Sequence, residues 1–140
     1  MFRLRGVLKS RRRGWRRRAA AVVEMAVVTP LLITLLLGII EYGRRLMVHQ
    51  TLVQAAREGC RTAVLQGSTE TEIRNRVETY MTAAGLPTYG IVITRSTTNN
   101  PIEVVEVSVN TADVTLFGNF FGSTAGVLRS SCSMRKEGSV

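Results

Sequence analysis

Few side chains in this sequence could do chemistry, and their spacing decides which kind. His49 is the one histidine, and Cys60 and Cys132 are the two cysteines. No cluster of Cys, His or Asp carries the spacing of a metal site. No nucleophile motif, phosphate-cradling loop or dinucleotide fingerprint is present. His49 has no neighbours of ligating type and reads as a surface or packing residue. The sequence therefore offers no enzyme site and implies no cofactor. The residue that stands apart is Glu24, the one charge in the apolar run from Ala19 to Ile40. A charge at the centre of a membrane helix costs roughly 2.5–3.5 kcal/mol on insertion scales, and less near the interface. Such a carboxylate calls for a partner.

The chain could make that partner itself. The segment reads Ala19-Ala20-Ala21-Val22-Val23-Glu24-Met25, directly after a block of arginines. A peptidase cut between Ala19 and Ala20 would place a new α-amine at Ala20, four residues before Glu24. Positions i and i+4 share a helix face. The ammonium could then neutralise the carboxylate, in its own chain or in a neighbour displaced along a filament, lessening the cost of burying both. Without the cut, Glu24 pairs with the leader arginines or snorkels to the inner interface.

Charge bookkeeping supports a leader. Arg3, Arg5, Lys9, Arg11, Arg12, Arg13, Arg16, Arg17 and Arg18 precede the apolar run, with no acid among them. They account for the whole formal net charge of +9, so the remainder of the chain is balanced. A nucleic-acid-binding domain spreads its basic residues over a folded face interleaved with aromatics; no such face is found here, and nucleic acid is not an expected partner. Positive charge flanking an apolar segment instead keeps that side cytoplasmic. The N-terminus is expected inside, and residues from about 41 onward outside. In that compartment a disulfide can persist.

These residues must be positioned by a long helix. Ala19–Ile40 is 22 residues, about 33 Å as a helix, enough for a hydrocarbon core of ~30 Å. A cleaved secretory signal would have a shorter apolar core followed by a small-x-small site. Ile39-Ile40-Glu41-Tyr42-Gly43 offers none, so the span is expected to be retained. Glu41 and Tyr42 mark the exit from the bilayer. Residues 1–18 are expected to be a disordered basic leader, with Trp15 at headgroup level. Helical spacing continues through Val53, Ala56, Cys60, Ala63 and Val64, and Gly67 is a natural stop.

The remaining sequence reads as a small domain. Thr69-Glu70-Thr71-Glu72 fits a capping box. The helix behind it sets Ile73, Val77, Tyr80, Met81 and Ala84 on one stripe and ends at Gly85-Leu86-Pro87. The period then changes to two. Ile91, Ile93 and Arg95 alternate with Val92 and Thr94; Asn99-Asn100-Pro101 is a turn; Val105, Val107 and Val109 alternate with Glu106, Ser108 and Asn110. Gly118, Gly122 and Gly126 punctuate a loop with Phe117, Phe120 and Phe121. A last strand over about 127–135 puts Leu128, Cys132 and Met134 on one face, interrupted by Ser130. The expected fold is α+β: a long N-terminal transmembrane helix, a second helix and about three antiparallel strands. Its expected divisions are a leader at 1–19, a helix over 20–66 and an extracytoplasmic domain over 67–140. Strands this short need a partner for their apolar face, and the outer half of the long helix is the obvious one. That docking brings the Cys60 face near the Cys132 face. The pair reads as a disulfide or as two buried thiols.

Residues Ala19 to Arg44, with Ala-Ala-Ala-Val-Val-Glu-Met-Ala-Val-Val-Thr-Pro followed by leucines and Gly-Ile-Ile-Glu-Tyr-Gly-Arg, resemble the TadE-like family. Its members are pseudopilins of the tight-adherence (Tad) type IV pilus system. The likeness continues through Ala55-Ala56-Arg57-Glu58-Gly59-Cys60-Arg61 and is similar again in Cys132-Ser133-Met134-Arg135-Lys136-Glu137. The resemblance implies a pilin-like domain and a leader cut by a prepilin peptidase, with Ala19 and Ala20 as the processing site. It implies a glutamate at mature position five, here Glu24, for subunit registration, and a minor-pilin or assembly-factor role in adhesion. Ala19 stands where the family usually has glycine. The partners so implied are the lipid bilayer, other pilins or pseudopilins meeting the N-terminal helix, and the peptidase; the location is the inner membrane or the pilus. A single-pass anchored envelope domain that binds a partner and never enters a filament is the competing reading.

Overall fold

Between Arg5 and Val64 the sequence contains a single proline and is rich in alanine, leucine and arginine, all strong helix formers. The computed structural model accordingly has one helix, α1, over Arg5–Val64, which continues through Pro30. It describes residues 5–97, 99–118 and 126–136, with side chains from residue 18 onward. The helix starts earlier than the sequence reading places it: the basic leader expected to be disordered is helical from Arg5. Arginine's helix propensity, with no proline among these residues, accounts for that. The side chain of Trp15 and the loop residues Phe120, Phe121 and Gly122 lie outside the described residues.

Two units make up the chain, Met1–Ile40 and Glu41–Val140. In the first, every side chain from Arg18 to Leu36 is exposed, although the run is almost wholly apolar. The part of α1 from Arg18 is long and apolar enough to cross a membrane.

In the second unit, α1 ends near Gly67, whose φ of 78° is one that glycine adopts without steric cost. Helix α2, Glu70–Ala83, follows at once. The expected capping box is formed: the Thr69 hydroxyl accepts from the Glu72 amide at 3.3 Å, and the Glu72 carboxylate accepts from the Thr69 amide at 3.0 Å. Its C-terminus is a Schellman turn, with Gly85 N–H donating to Thr82 and Leu86 N–H to Met81, and Gly85 at φ 70°.

Strands β1 (Gly90–Thr94), β2 (Ile102–Asn110) and β3 (Val127–Arg135) form an antiparallel sheet in the order β1-β2-β3. A short helix, α3 (Thr111–Val114), capped by the Asn110 side chain, follows β2; the sequence reading did not anticipate it. The class is thus α+β, as expected. Register sets Val105 opposite both Ile93 and Cys132, which places all three on one face.

That face packs on the outer half of α1 and on α2. The core comprises Val48, Leu52, Ala55, Ala56, Cys60 and Ala63 from α1, Ile73, Val77 and Met81 from α2, and Val105, Val107 and Val109 from β2. The buried α1 stripe is turned slightly from the expected one. Leu52 and Ala55 are inside, whereas Val53 and Val64 are only half-buried. Gly59 explains the rotation. A Cβ there would lie 2.8 Å from Val77 Cγ2 and 3.1 Å from Val105 Cγ1, so α2 and β2 close onto the helix where it has no side chain.

Candidate functional site

The residues of interest fall in three places along α1. At its membrane-competent end, Ala20 and Glu24 lie within the uninterrupted helix, on the shared face that four-residue spacing dictates. The hydroxyls in the run satisfy themselves: Thr29 Oγ1 donates to the Met25 carbonyl at 2.6 Å and Thr34 Oγ1 to the Pro30 carbonyl at 2.8 Å. Glu24 does not. It is exposed, and no ion pair or hydrogen bond joins it to another described residue. Around it Val22, Val23, Met25, Val27 and Val28 are all exposed as well. Such an apolar surface, far larger than isolated surface hydrophobics, marks contact with lipid or with other apolar helices.

The second place is the turn of α1 that directly follows the apolar run. Glu41 is buried, and its Oε2 accepts from the backbone amides of Leu116 at 3.1 Å and Phe117 at 3.3 Å. Its Oε1 accepts from Arg45 Nε at 3.3 Å. One turn of helix thus also supplies Arg44, whose Nε donates to the Val114 carbonyl at 3.0 Å. Burial alone would raise the Glu41 pKa. The two amides and the Arg45 guanidinium outweigh it and hold the carboxyl below the usual glutamate range. Tyr42 beside it is exposed, as an interfacial tyrosine would be.

The third place is the contact between α1 and the sheet. Cys60 is fully buried and Cys132 half-buried; both are free thiols, and Cys60 Sγ donates to the Cys132 carbonyl oxygen at 2.7 Å. Burial, with the Cys132 thiol beside it, pushes the Cys60 pKa up to about 12. The expected approach of the two cysteine-bearing faces is therefore present. Next along the same face of β2 is Glu103, which is 1% exposed. Ser96 Oγ donates to it at 2.8 Å, and Arg95 and Lys136 pair with it at 3.6 and 3.9 Å. Arg95 also donates to the Ser68 carbonyl at 3.0 Å, tying the end of the sheet to the turn after α1.

With this geometry in place, comparison with known proteins is specific to one part of the chain. Residues 19–61 match the family model described as TadE-like protein. The segment is TadE-like. A search of curated proteins and a search of solved structures each return no match. The match spans Glu24, Glu41 and Cys60 together.

The structure brings Cys60 to Cys132 and keeps Ala19, Ala20 and Glu24 on exposed helix. His49 is exposed, and among the described residues no group of three potential ligands is assembled for a metal. Sequence reasoning took Glu41 only as a marker of the bilayer exit; its role in holding the chain at Leu116 and Phe117 left no local signal, because these partners lie some 75 residues away. Glu103 did leave one. Period-two alternation puts it on the Val105 face and Arg95 on the Ile93 face, opposite charges on one buried surface.

Proposed function

We propose that this chain is a pseudopilin, a membrane-anchored minor pilin or assembly factor of a Tad-type pilus, serving adhesion and surface attachment. The role is structural rather than catalytic. What carries the reading is Glu24, a carboxylate without a partner among the described residues, on an exposed apolar helix within the TadE-like segment.

In this reading the span up to about residue 41 anchors the chain in the inner membrane with its N-terminus cytoplasmic, and the region from 67 to 140 is extracytoplasmic. Hydrolysis of the Ala19–Ala20 peptide bond by a prepilin peptidase removes the basic leader, whose charges oppose withdrawal of the helix from the bilayer. It leaves an ammonium at Ala20. Glu24 then meets that ammonium, in its own chain or a neighbour's, and the pairing registers apolar helices against one another as they leave lipid. Cys60 and Cys132, already apposed, join as a disulfide in the oxidising compartment and fasten the sheet to α1.

The competing reading, an envelope anchor that never enters a filament, is favoured by Ala19, which occupies the position where the family's cut usually follows glycine. Glu24→Ala separates the two. The pseudopilin reading expects the variant to insert and be cut normally while pilus assembly fails. Normal pili from this variant would overturn registration by Glu24 and leave snorkelling as the account of its position.

A further inference from the structure

Cys60 and Cys132 are in contact, yet the fold places them differently. Cys60 is 0% exposed, inside the core that α1 forms with α2 and β2. Cys132 is half-buried, and it stands on β3, an edge strand of the sheet β1-β2-β3. Its neighbours on the same face of β3 are Ser130 and Met134, both half-buried. Ser130 is the small residue that interrupts the apolar face, and methionine is unbranched and adaptable, so neither walls off the sulfur between them. The Cys60 thiol donates to the Cys132 carbonyl at 2.7 Å, which holds it against residue 132 from the inner side. A reagent arriving from solvent therefore meets the Cys132 sulfur first.

We propose that Cys132 is the entry point for thiol–disulfide exchange with an external disulfide, and that Cys60 is the resolving thiol that closes the bridge from inside. The inference rests on the Cys60–Cys132 bridge proposed above; it adds the order in which the two sulfurs react and the class of co-reactant. In the first step the Cys132 thiolate attacks one sulfur of the external disulfide. A bond forms between them, the external S–S bond breaks, and one external thiolate leaves and takes up the proton that Cys132 gave up. In the second step the Cys60 sulfur attacks Cys132 Sγ. The bond from Cys132 to the external sulfur breaks, and the second external thiolate leaves with the Cys60 proton. Two protein thiols are thus oxidised, and one external disulfide is reduced to two thiols. The opposite order is opposed twice. Cys60 has no exposed surface for an external disulfide to reach. Burial also pushes its pKa up to about 12, which leaves almost no thiolate to attack. The second step avoids both obstacles. It is intramolecular, and a thiol of high pKa is the stronger nucleophile once its proton is lost.

The test uses the reduced full chain in detergent, freed of reductant, with oxidised glutathione as the external disulfide and intact mass as the readout. Cys60→Ser keeps a donor for the Cys132 carbonyl and should accumulate one mixed disulfide with glutathione. Cys132→Ser should acquire glutathione at least ~10-fold more slowly, because a buried, protonated thiol exchanges slowly. Equal rates, or a faster Cys132→Ser, would overturn the order. A Cys60→Ser chain that takes up no glutathione would overturn entry at Cys132. The wild-type chain gives a check that needs no variant to fold. Peptide mapping of early, acid-quenched samples should find glutathione on Cys132 alone, and at completion the chain should hold an internal bridge and no glutathione. Early glutathione on Cys60 followed by a bridge would overturn the order while leaving the bridge intact. Glutathione retained on Cys132 with no bridge would overturn resolution by Cys60 and the bridge with it.

Discussion

Replacing Gly59 by alanine should destabilise the outer unit, although alanine is the better helix former. The added Cβ would sit 2.8 Å from Val77 Cγ2 and 3.1 Å from Val105 Cγ1. Both valines are fully buried and, being β-branched, have little rotamer freedom with which to retreat. Relief must come from separating α2 or β2 from α1. Overpacking of this kind costs about 1–3 kcal/mol, and the gain in helix propensity returns up to ~1 kcal/mol, so a net loss of up to about 2 kcal/mol is expected. Gly43→Ala provides the control on the same helix, because a Cβ there meets nothing within 4 Å. It should be neutral or stabilising by up to ~1 kcal/mol. Thermal unfolding of the full chain in detergent, followed by near-ultraviolet circular dichroism, reads the difference. At about 4–8 °C per kcal/mol for a unit of this size, the two variants should separate clearly. If Gly59→Ala melts as high as Gly43→Ala, the close approach of the three elements is not the reason for glycine at this position.

Three further outcomes probe other parts of the account. Chain taken from native membranes should resist thiol alkylation unless first reduced, and mass comparison should show a Cys60–Cys132 bridge. Its loop of about 70 residues corresponds to ~4 kcal/mol in the chain-entropy model, and complete alkylation without reductant would contradict the bridge. In the reduced chain a thiol-directed reagent at neutral pH should modify Cys132 well before Cys60, whose pKa near 12 leaves almost no thiolate. Glu103→Ala should lower stability by ~1–3 kcal/mol in the same melts, below the full cost of breaking a buried pair because Arg95 and Lys136 reach water. An unchanged melting temperature would mean the charge cluster is neutral to folding.

How much was legible in the sequence depended on whether the cause was local. The capping box at Thr69, the stop at Gly85 and the alternation of Val105, Val107 and Val109 are set by neighbours in sequence, and the structure has them where period and turn chemistry place them. The face of α1 that is buried was legible only approximately. Small residues surround the true stripe, and the choice of Leu52 over Val53 depends on where α2 and β2 close onto Gly59. The helical leader was misjudged because charge density was weighed above arginine's helix propensity. For the site, Glu24 was legible because a lone charge in an apolar run is conspicuous in one dimension. Glu41 was not, since its amide partners are distant in sequence and backbone donors carry no residue signature. Between these lies α3, whose Asn110 cap is a local signal, though four residues of helix are too few for periodicity to reveal.

The central claim is that the leader is removed so that an ammonium at Ala20 can meet Glu24 in a pilus-type assembly. Intact mass and N-terminal sequencing of the chain purified from native membranes test it most directly. The account predicts a mature protein that begins at Ala20 and has lost residues 1–19 with all nine of their positive charges. A chain that retains Met1 as its only stable form would contradict it.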